Sequence, residues 1–211
     1  MEYFGIDVSE HQGFIDWKAA HKYIDFAFIR GGYWFVDDSY VKYNCEMCVK
    51  YGVPFGLYWF SYALTKEDAE EEARKAVEIA KEYTPELPIF FDFEYDSVRF
   101  ATEQGVKVTQ ELVRTLTDTF CDYVKSNGFE TGFYASPDFV ERYYGWKYVQ
   151  TCGHLFWLAH WVNKTNYGYD FWQTSSNGKV LGINGRVDTN ITNKLPKKCP
   201  TLNVEFTFER N

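Results

Sequence analysis

Two carboxylates stand two residues apart in Ile89-Phe-Phe-Asp92-Phe-Glu94-Tyr95, an otherwise apolar run entered through Pro88. The aromatic residues Phe90, Phe91 and Phe93 mark the run as a buried strand. Side chains alternate along a strand, so Asp92 and Glu94 share one face while Phe91 and Phe93 share the other. Two acids in an apolar setting lose hydration and repel each other, so one of them should keep its proton near neutral pH. A general acid needs that condition. The plain alternative is a strand end at a rim, with both acids solvated.

The elements that would position this pair alternate along the N-terminal two-thirds of the chain. Strands are expected at residues 4–9, 26–31, 55–62, 89–95 and 131–135. Helices are expected at 16–23, at 40–51 with Ser39 as its cap and Gly52 as its end, at 65–83 and at 109–126. A short fifth helix should begin at Ser136-Pro137 by the cap-then-proline rule. Thr65-Lys-Glu-Asp68 has the form of a capping box, with Ala69, Ala73, Val77 and Ala80 on one face of the helix behind it. Beyond residue 150 the rhythm changes. Strands at 154–161, 170–174 and 187–191 have no long helix between them, and Asn177-Gly178 and Asn184-Gly185 read as hairpin turns. Eight strands suffice to close a barrel. The expected fold class is α/β: an incomplete (β/α) barrel of eight strands and about five helices, its last three strands joined by loops and hairpins. A doubly wound open sheet is the alternative, but it would keep its helices to the end. Residues 1–194 form the expected catalytic domain, and 195–211, with Pro196 and Pro200, an extension or the start of a linker.

Composition narrows the classes of function. A chain of 211 residues with 45% hydrophobic and 25% charged residues is globular and can bury a large core. Aromatics reach 20%, enough to thicken a core or to line a surface that stacks on sugar rings. The net charge of -8 leaves no basic stripe to neutralise phosphates, so nucleic acid is not an expected partner. No apolar run of about 18 residues is present, so no spanning helix and no membrane partner are expected. The N-terminus lacks a basic and then apolar leader. The expected route is phage-type release, or an export signal that lies outside this sequence.

In a β/α barrel, catalytic groups gather at the C-terminal ends of the strands. Asp7 ends the first strand, and Asp92 and Glu94 end the fourth. Asp188 lies on the eighth, which neighbours the first in a closed barrel. Four acids from three separated segments would then meet at one mouth. Aromatics accompany them: Tyr58, Phe60 and Tyr62 on the third strand, Tyr134 on the fifth, Trp157 and Trp161 on the sixth, and Trp172 on the seventh. Carboxylates framed by aromatic platforms suit glycosidic bond cleavage, in which acids protonate the leaving oxygen and rings hold the sugars. For Phe60 and Trp172, plain core is an equal reading.

Gly5-Ile-Asp7-Val-Ser9-Glu10-His11-Gln12-Gly13, Gly56-Leu-Tyr58-Trp59-Phe60-Ser61-Tyr62-Ala63, Phe91-Asp92-Phe93-Glu94, Trp172-Gln173 and Val187-Asp188-Thr-Asn190 together resemble glycoside hydrolase family 25. These are the Chalaropsis-type lysozymes of bacteria and phage endolysins. The likeness runs in order over about residues 4–192. It implies an N-acetylmuramidase acting on peptidoglycan glycan strands at the bacterial cell wall, as a monomer, without cofactor or metal. Carried over by position, Glu94 would be the acid/base. Asp92 would stay ionised beside it and orient or charge-stabilise the substrate N-acetyl group. Asp7 and Asp188 would position and tune Glu94, and Tyr58 and Tyr134 would flank the reacting sugar. Tyr62, Trp157 and Trp161 complete the expected binding set. Same-face strand neighbours lie only about 6.5 Å apart on one wall of a site, which favours substrate assistance over an enzymic nucleophile. The chain departs from the family pattern at His160-Trp161 and at Trp34.

Cys45-x-x-Cys48 has no second ligand pair and reads as small core residues on one helical stripe. The five cysteines are odd in number and scattered, and the four histidines make no metal-binding spacing. Two other readings stay open: a hydrolase of another N-acetylglucosamine polymer such as chitin, and a non-catalytic wall-binding protein on the same scaffold.

Overall fold

A computed structural model of the chain describes residues 1–195. In chain order the elements are β1 (Tyr3–Val8), α1 (Trp17–Ala20), β2 (Phe26–Tyr33), β3 (Val36–Asp37), α2 (Val41–Tyr51), β4 (Phe55–Phe60), α3 (Lys66–Tyr83) and β5 (Ile89–Asp92). There follow α4 (Tyr95–Glu103), α5 (Gln110–Ser126), β6 (Thr131–Ala135), α6 (Pro137–Phe139), α7 (Trp146–Thr151), β7 (Leu155–Ala159), β8 (Phe171–Gly178) and β9 (Val187–Thr192). Eight strands close a ring, because β1 pairs with both β2 and β9, while β3 lies outside as a short hairpin partner of β2. The expected barrel is therefore present. The expected extension at 195–211 lies, apart from Leu195, outside the described residues.

The strands are apolar on both faces because both are covered. On β2, Phe26 and Phe28 point into the barrel and Ala27 and Ile29 point out to the helices. The same parity holds on β5, with Phe90 inside and Ile89 and Phe91 outside, and on β7, with Trp157 inside and Phe156 and Leu158 outside. Phe26, Phe28, Phe90, Trp157 and Phe171 form a closed aromatic plug across the barrel. Phe28 alone touches the other four, at ring separations of 4.7 to 5.7 Å. Gly5 on β1 makes room for it, since a Cβ there would lie 2.6 Å from the Phe26 ring. Outside, α3 presents Ala69, Ala73, Ala76, Val77 and Ala80, and α5 presents Val113, Leu116, Phe120 and Val124. The capping box is formed as expected: the Asp68 amide donates to Thr65 Oγ1 at 3.1 Å, and the Thr65 amide to Asp68 Oδ2 at 3.0 Å.

Several local expectations are corrected. Seven helices are present among the described residues rather than five, the additional ones being α4 and α7. α4 escapes a pattern reading because it buries only Ser97 and Ala101. Ser39 does not cap α2; Tyr40 holds that position without a side-chain bond, and the Ser39 hydroxyl donates instead to Glu10 Oε2 at 2.6 Å. Asn177-Gly178 is not the β8–β9 turn. Gly178 is still paired with Val187, and a Cβ there would lie 2.2 Å from Thr189 Cγ2, so the glycine serves close strand approach. The chain turns further on, through Gly182 and Gly185, both at positive φ.

The plug rather than the outer helices should dominate stability. Phe28→Ala is expected to lower the unfolding free energy in urea by about 3–5 kcal/mol. A loss below about 1 kcal/mol would show that the interior collapses freely around the gap.

Candidate active site

One step above the plug, the inward parity of seven of the eight barrel strands delivers a polar side chain: Asp7 from β1, Arg30 from β2, Tyr58 from β4, Asp92 from β5, Tyr134 from β6, Gln173 from β8, and Asp188 and Asn190 from β9. Six of these seven, and β7 with them, reach this mouth with their C-terminal ends. β9 reaches it with its N-terminal end, because it runs antiparallel to both neighbours and sets Asp188 directly opposite Asp7. Had β9 been parallel, Asp188, its second residue, would lie at the far mouth. All four expected acids are thus brought together.

Gln173 is the hub of the mouth and is 2% exposed. Its Nε2 donates to Asp7 Oδ2 at 3.0 Å and to Asp188 Oδ2 at 3.2 Å. Its Oε1 accepts from the Tyr134 hydroxyl at 2.9 Å and from Trp161 Nε1 at 3.0 Å. Asn190 Nδ2 adds a bond to Asp7 Oδ2 at 2.7 Å, and Asn190 is itself aimed by Trp157, whose Nε1 donates to Asn190 Oδ1 at 2.8 Å. Trp157 is buried in the plug at 1% exposure, so it does not meet a sugar face as expected; it acts through Asn190. Trp161, 59% exposed, is the open ring of the set. Tyr58 packs edge-on against Trp157 at 5.8 Å. Tyr62 is half-buried, and its hydroxyl donates to Asp96 Oδ2 at 2.8 Å. His160 is a structural histidine, its ring bonded to Thr165 Oγ1 at 3.1 Å and its carbonyl accepting from Trp172 Nε1.

The acid pair differs from a simple strand. The hydrogen-bonded ladder of β5 stops at Asp92, and Glu94 occupies the cap position before α4. Its backbone stays extended, and the Phe91 and Phe93 rings stack at 6.2 Å on the opposite face, so the expected alternation survives past the strand end. The Glu94 amide donates to Ser97 Oγ at 3.1 Å, which ties the residue to the first turn of α4. Asp92 is 6% exposed, and its Oδ1 is buried without a hydrogen-bond partner.

Burial and mutual repulsion raise the proton affinity of these groups. Asp7 is pushed up to about 7, by burial first and then by Asp188, against the lowering bonds from Asn190 and Gln173. Glu94 is pushed up to about 7 by burial, then by Asp96 and Asp188. Burial raises Asp188 to about 6. Asp92 is raised well above the usual carboxylate range by burial, then by Glu94 and Asp7, with Arg30 pulling it back. Burial and the neighbouring acids thus work against the expected ionised Asp92, and Arg30 works for it.

Arg30, Gln173 and Asn190 carry roles that sequence reasoning did not assign. Arg30 donates through Nε to Asp38 Oδ2 at 2.8 Å and pairs with Glu10 at 2.9 Å. Its signal was available, since it follows Phe26 and Phe28 on the inward face. Asn190 likewise sits two residues from Asp188. Cys45 and Cys48 are buried packing residues of α2, as expected, with thiols pushed up by burial. Among the described residues no three His, Cys, Asp or Glu side chains are grouped to hold a metal ion, and no helix is long and apolar enough to cross a membrane.

Residues 6–183 match the family model for glycosyl hydrolases family 25. The chain belongs to glycosyl hydrolase family 25. Asp7, Asp92 and Glu94 lie within that match and Asp188 lies beyond it. Among solved structures, the family 25 barrel resembles the modular autolysin LytC from Streptococcus pneumoniae, with a TM-score of 0.77 and 26% identity. That likeness covers 90% of this chain and 46% of LytC, so the chain spans under half of its length. The catalytic domain of endolysin ply40 from bacteriophage P40 of Listeria monocytogenes has the same fold, with a TM-score of 0.77 at 24% identity over 91% of this chain and 93% of that one. The uncharacterized protein YegX of Escherichia coli K12 is 28% identical over 202 residues, covering 90% of this chain and 69% of YegX.

The raised acids set the sign of a stability dependence. Between about pH 4 and 7 the folded protein binds more protons than the unfolded chain, so these groups make stability fall as pH rises through that window. Glu94→Gln should therefore be more stable than the wild type at pH 8, by on the order of 1–2 kcal/mol after allowance for solvent screening, with the gain vanishing near pH 4. Urea melts at the two pH values measure it; an equal difference at both would contradict the raised Glu94.

Proposed function

We propose that the protein is a peptidoglycan hydrolase of the N-acetylmuramidase type, cleaving the β-1,4 bond between N-acetylmuramic acid and N-acetylglucosamine. The observation that carries this reading is the buried acid mouth: Glu94 held at its edge with a proton near neutrality, beside an Asp92 oxygen that lacks a partner. Family membership supports it, as does the likeness to LytC, which is described in complex with a synthetic peptidoglycan ligand.

Glu94 gives its proton to the glycosidic oxygen as the bond to the anomeric carbon breaks. The substrate's own N-acetyl carbonyl oxygen attacks that carbon from the other face, forming a cyclic oxazolinium intermediate. Asp92 Oδ1 accepts from the acetamido N–H and orients it for the attack. Water then opens the ring, Glu94 takes the water's proton, and configuration is retained. Asp7 and Asp188, tied together by Gln173, keep negative potential next to Glu94 and favour its protonated form. Tyr134 and Trp161 border the same hub and contact the sugars. The enzyme acts as a monomer at the bacterial cell wall, with no nucleic acid or membrane as partner.

Glu94→Gln should fold and lose turnover by at least about 10³-fold on purified peptidoglycan, as the loss of a general acid requires. Wild-type-like hydrolysis by that variant would remove Glu94 from its role. Faster release of sugar from chitin than from peptidoglycan by the unaltered protein would favour the chitinase reading instead. Trp161→Ala should raise KM with little change in kcat, because an exposed stacking ring contributes binding rather than chemistry.

A further inference from the structure

Asp96, the second residue of α4, lies two positions past Glu94 and belongs to none of the acids gathered by the barrel strands. Both of its oxygens are engaged. The Tyr62 hydroxyl donates to Oδ2 at 2.8 Å, bridging the segment after β4 to the start of α4, and Arg99 on the next turn pairs with Oδ1.

Tyr62 is in turn held from behind. Its amide donates at 3.0 Å to Oε1 of Glu72, a wholly buried carboxyl on α3 that burial pushes up to about 8. Its ring packs between Phe60 at 5.3 Å and Phe100 at 5.1 Å, and Phe100 meets the Trp34 ring at 4.5 Å. A buried carboxyl is costly, and here one is placed against the Ser61–Tyr62 segment. The result is a rigid strut that runs from the core of α3 through Tyr62 to Asp96. Glu94 is fixed to the same turn by its amide bond to Ser97 Oγ.

We propose that Asp96 is a positioning residue of the active site: clamped by Tyr62 and Arg99, it keeps a fixed negative charge beside Glu94 and so preserves Glu94 as a proton donor. This rests on the reading of Glu94 as the general acid. The groups facing Glu94 from the surrounding elements are Asp92 on β5, Asp7 on β1, Asp188 on β9 and Tyr134 on β6, with the Arg30 cation behind Asp92. Asp96 is the contributor from α4, and its charge, like that of Asp188, disfavours ionisation of Glu94. It also differs from the strand acids in being adjustable from the surface, because Arg99 is largely exposed.

The test is the pH profile of kcat/KM on soluble peptidoglycan fragments for wild type, Asp96→Asn, Arg99→Gln and Glu94→Gln. Asparagine keeps an oxygen for the Tyr62 hydroxyl and removes the charge. Its basic limb should move toward acid by roughly half a pH unit or more, with activity below that limb within about twofold of wild type. Arg99→Gln leaves the Asp96 charge less compensated and should move the limb the other way. An unshifted limb in Asp96→Asn, or a uniform loss of activity at every pH, overturns the proposal. Should Asp96→Asn fail to fold, an Arg99→Gln limb that does not rise overturns it equally. Activity retained by Glu94→Gln would instead refute the underlying assignment of the acid.

Discussion

The antiparallel pairing of β1 with β9 sets Asp7 directly opposite Asp188, and the rest of the site is arranged around that crowding. Two carboxylates side by side in a dry mouth repel, so the fold must either neutralise them or let them keep protons. It does both. Gln173 and Asn190 direct three side-chain N–H bonds at the two acids, while burial keeps their proton affinity high. The amide side chains stabilise the charged form without adding a cation that would draw the protons off. A lysine at position 173 would end the balance.

Below the mouth, the aromatic plug closes the barrel to water and gives the acids their low-dielectric floor. The two layers are joined by Trp157, which packs in the plug and aims Asn190 at Asp7. Packing and electrostatics are therefore not separable here: a change in how Trp157 seats against Phe28 and Phe90 alters the hydrogen bond that holds Asp7. Above the mouth, Gln173 passes the same constraint outward to Tyr134 and Trp161, the groups proposed to contact the sugars.

Strand alternation was legible in the sequence because it is a local rule with a period of two, and it placed Asp7, Asp92 and Glu94 correctly. It even outlasted the strand, since Glu94 keeps extended backbone after the ladder of β5 ends. What it could not show was direction. Asp188 reaches the mouth only because β9 is reversed, and nothing in Val187-Asp188-Thr-Asn190 states which way the strand runs. Side-chain commitments were also hidden: the polar atoms of Tyr62 and Trp157 are bonded to Asp96 and Asn190. α4, with its sparse apolar face, gave no periodic signal, so Asp96 had no visible link to Glu94. Ser39 shows the reverse case, a good capping residue drawn away by Glu10, a partner 29 residues distant.

The account stands on the bond proposed to be cleaved at this acid mouth. Mass spectrometry of purified peptidoglycan digested by the protein tests it most directly, by identifying the sugar at each new reducing end. The account predicts fragments ending in reducing N-acetylmuramic acid. Fragments ending in reducing N-acetylglucosamine would contradict it.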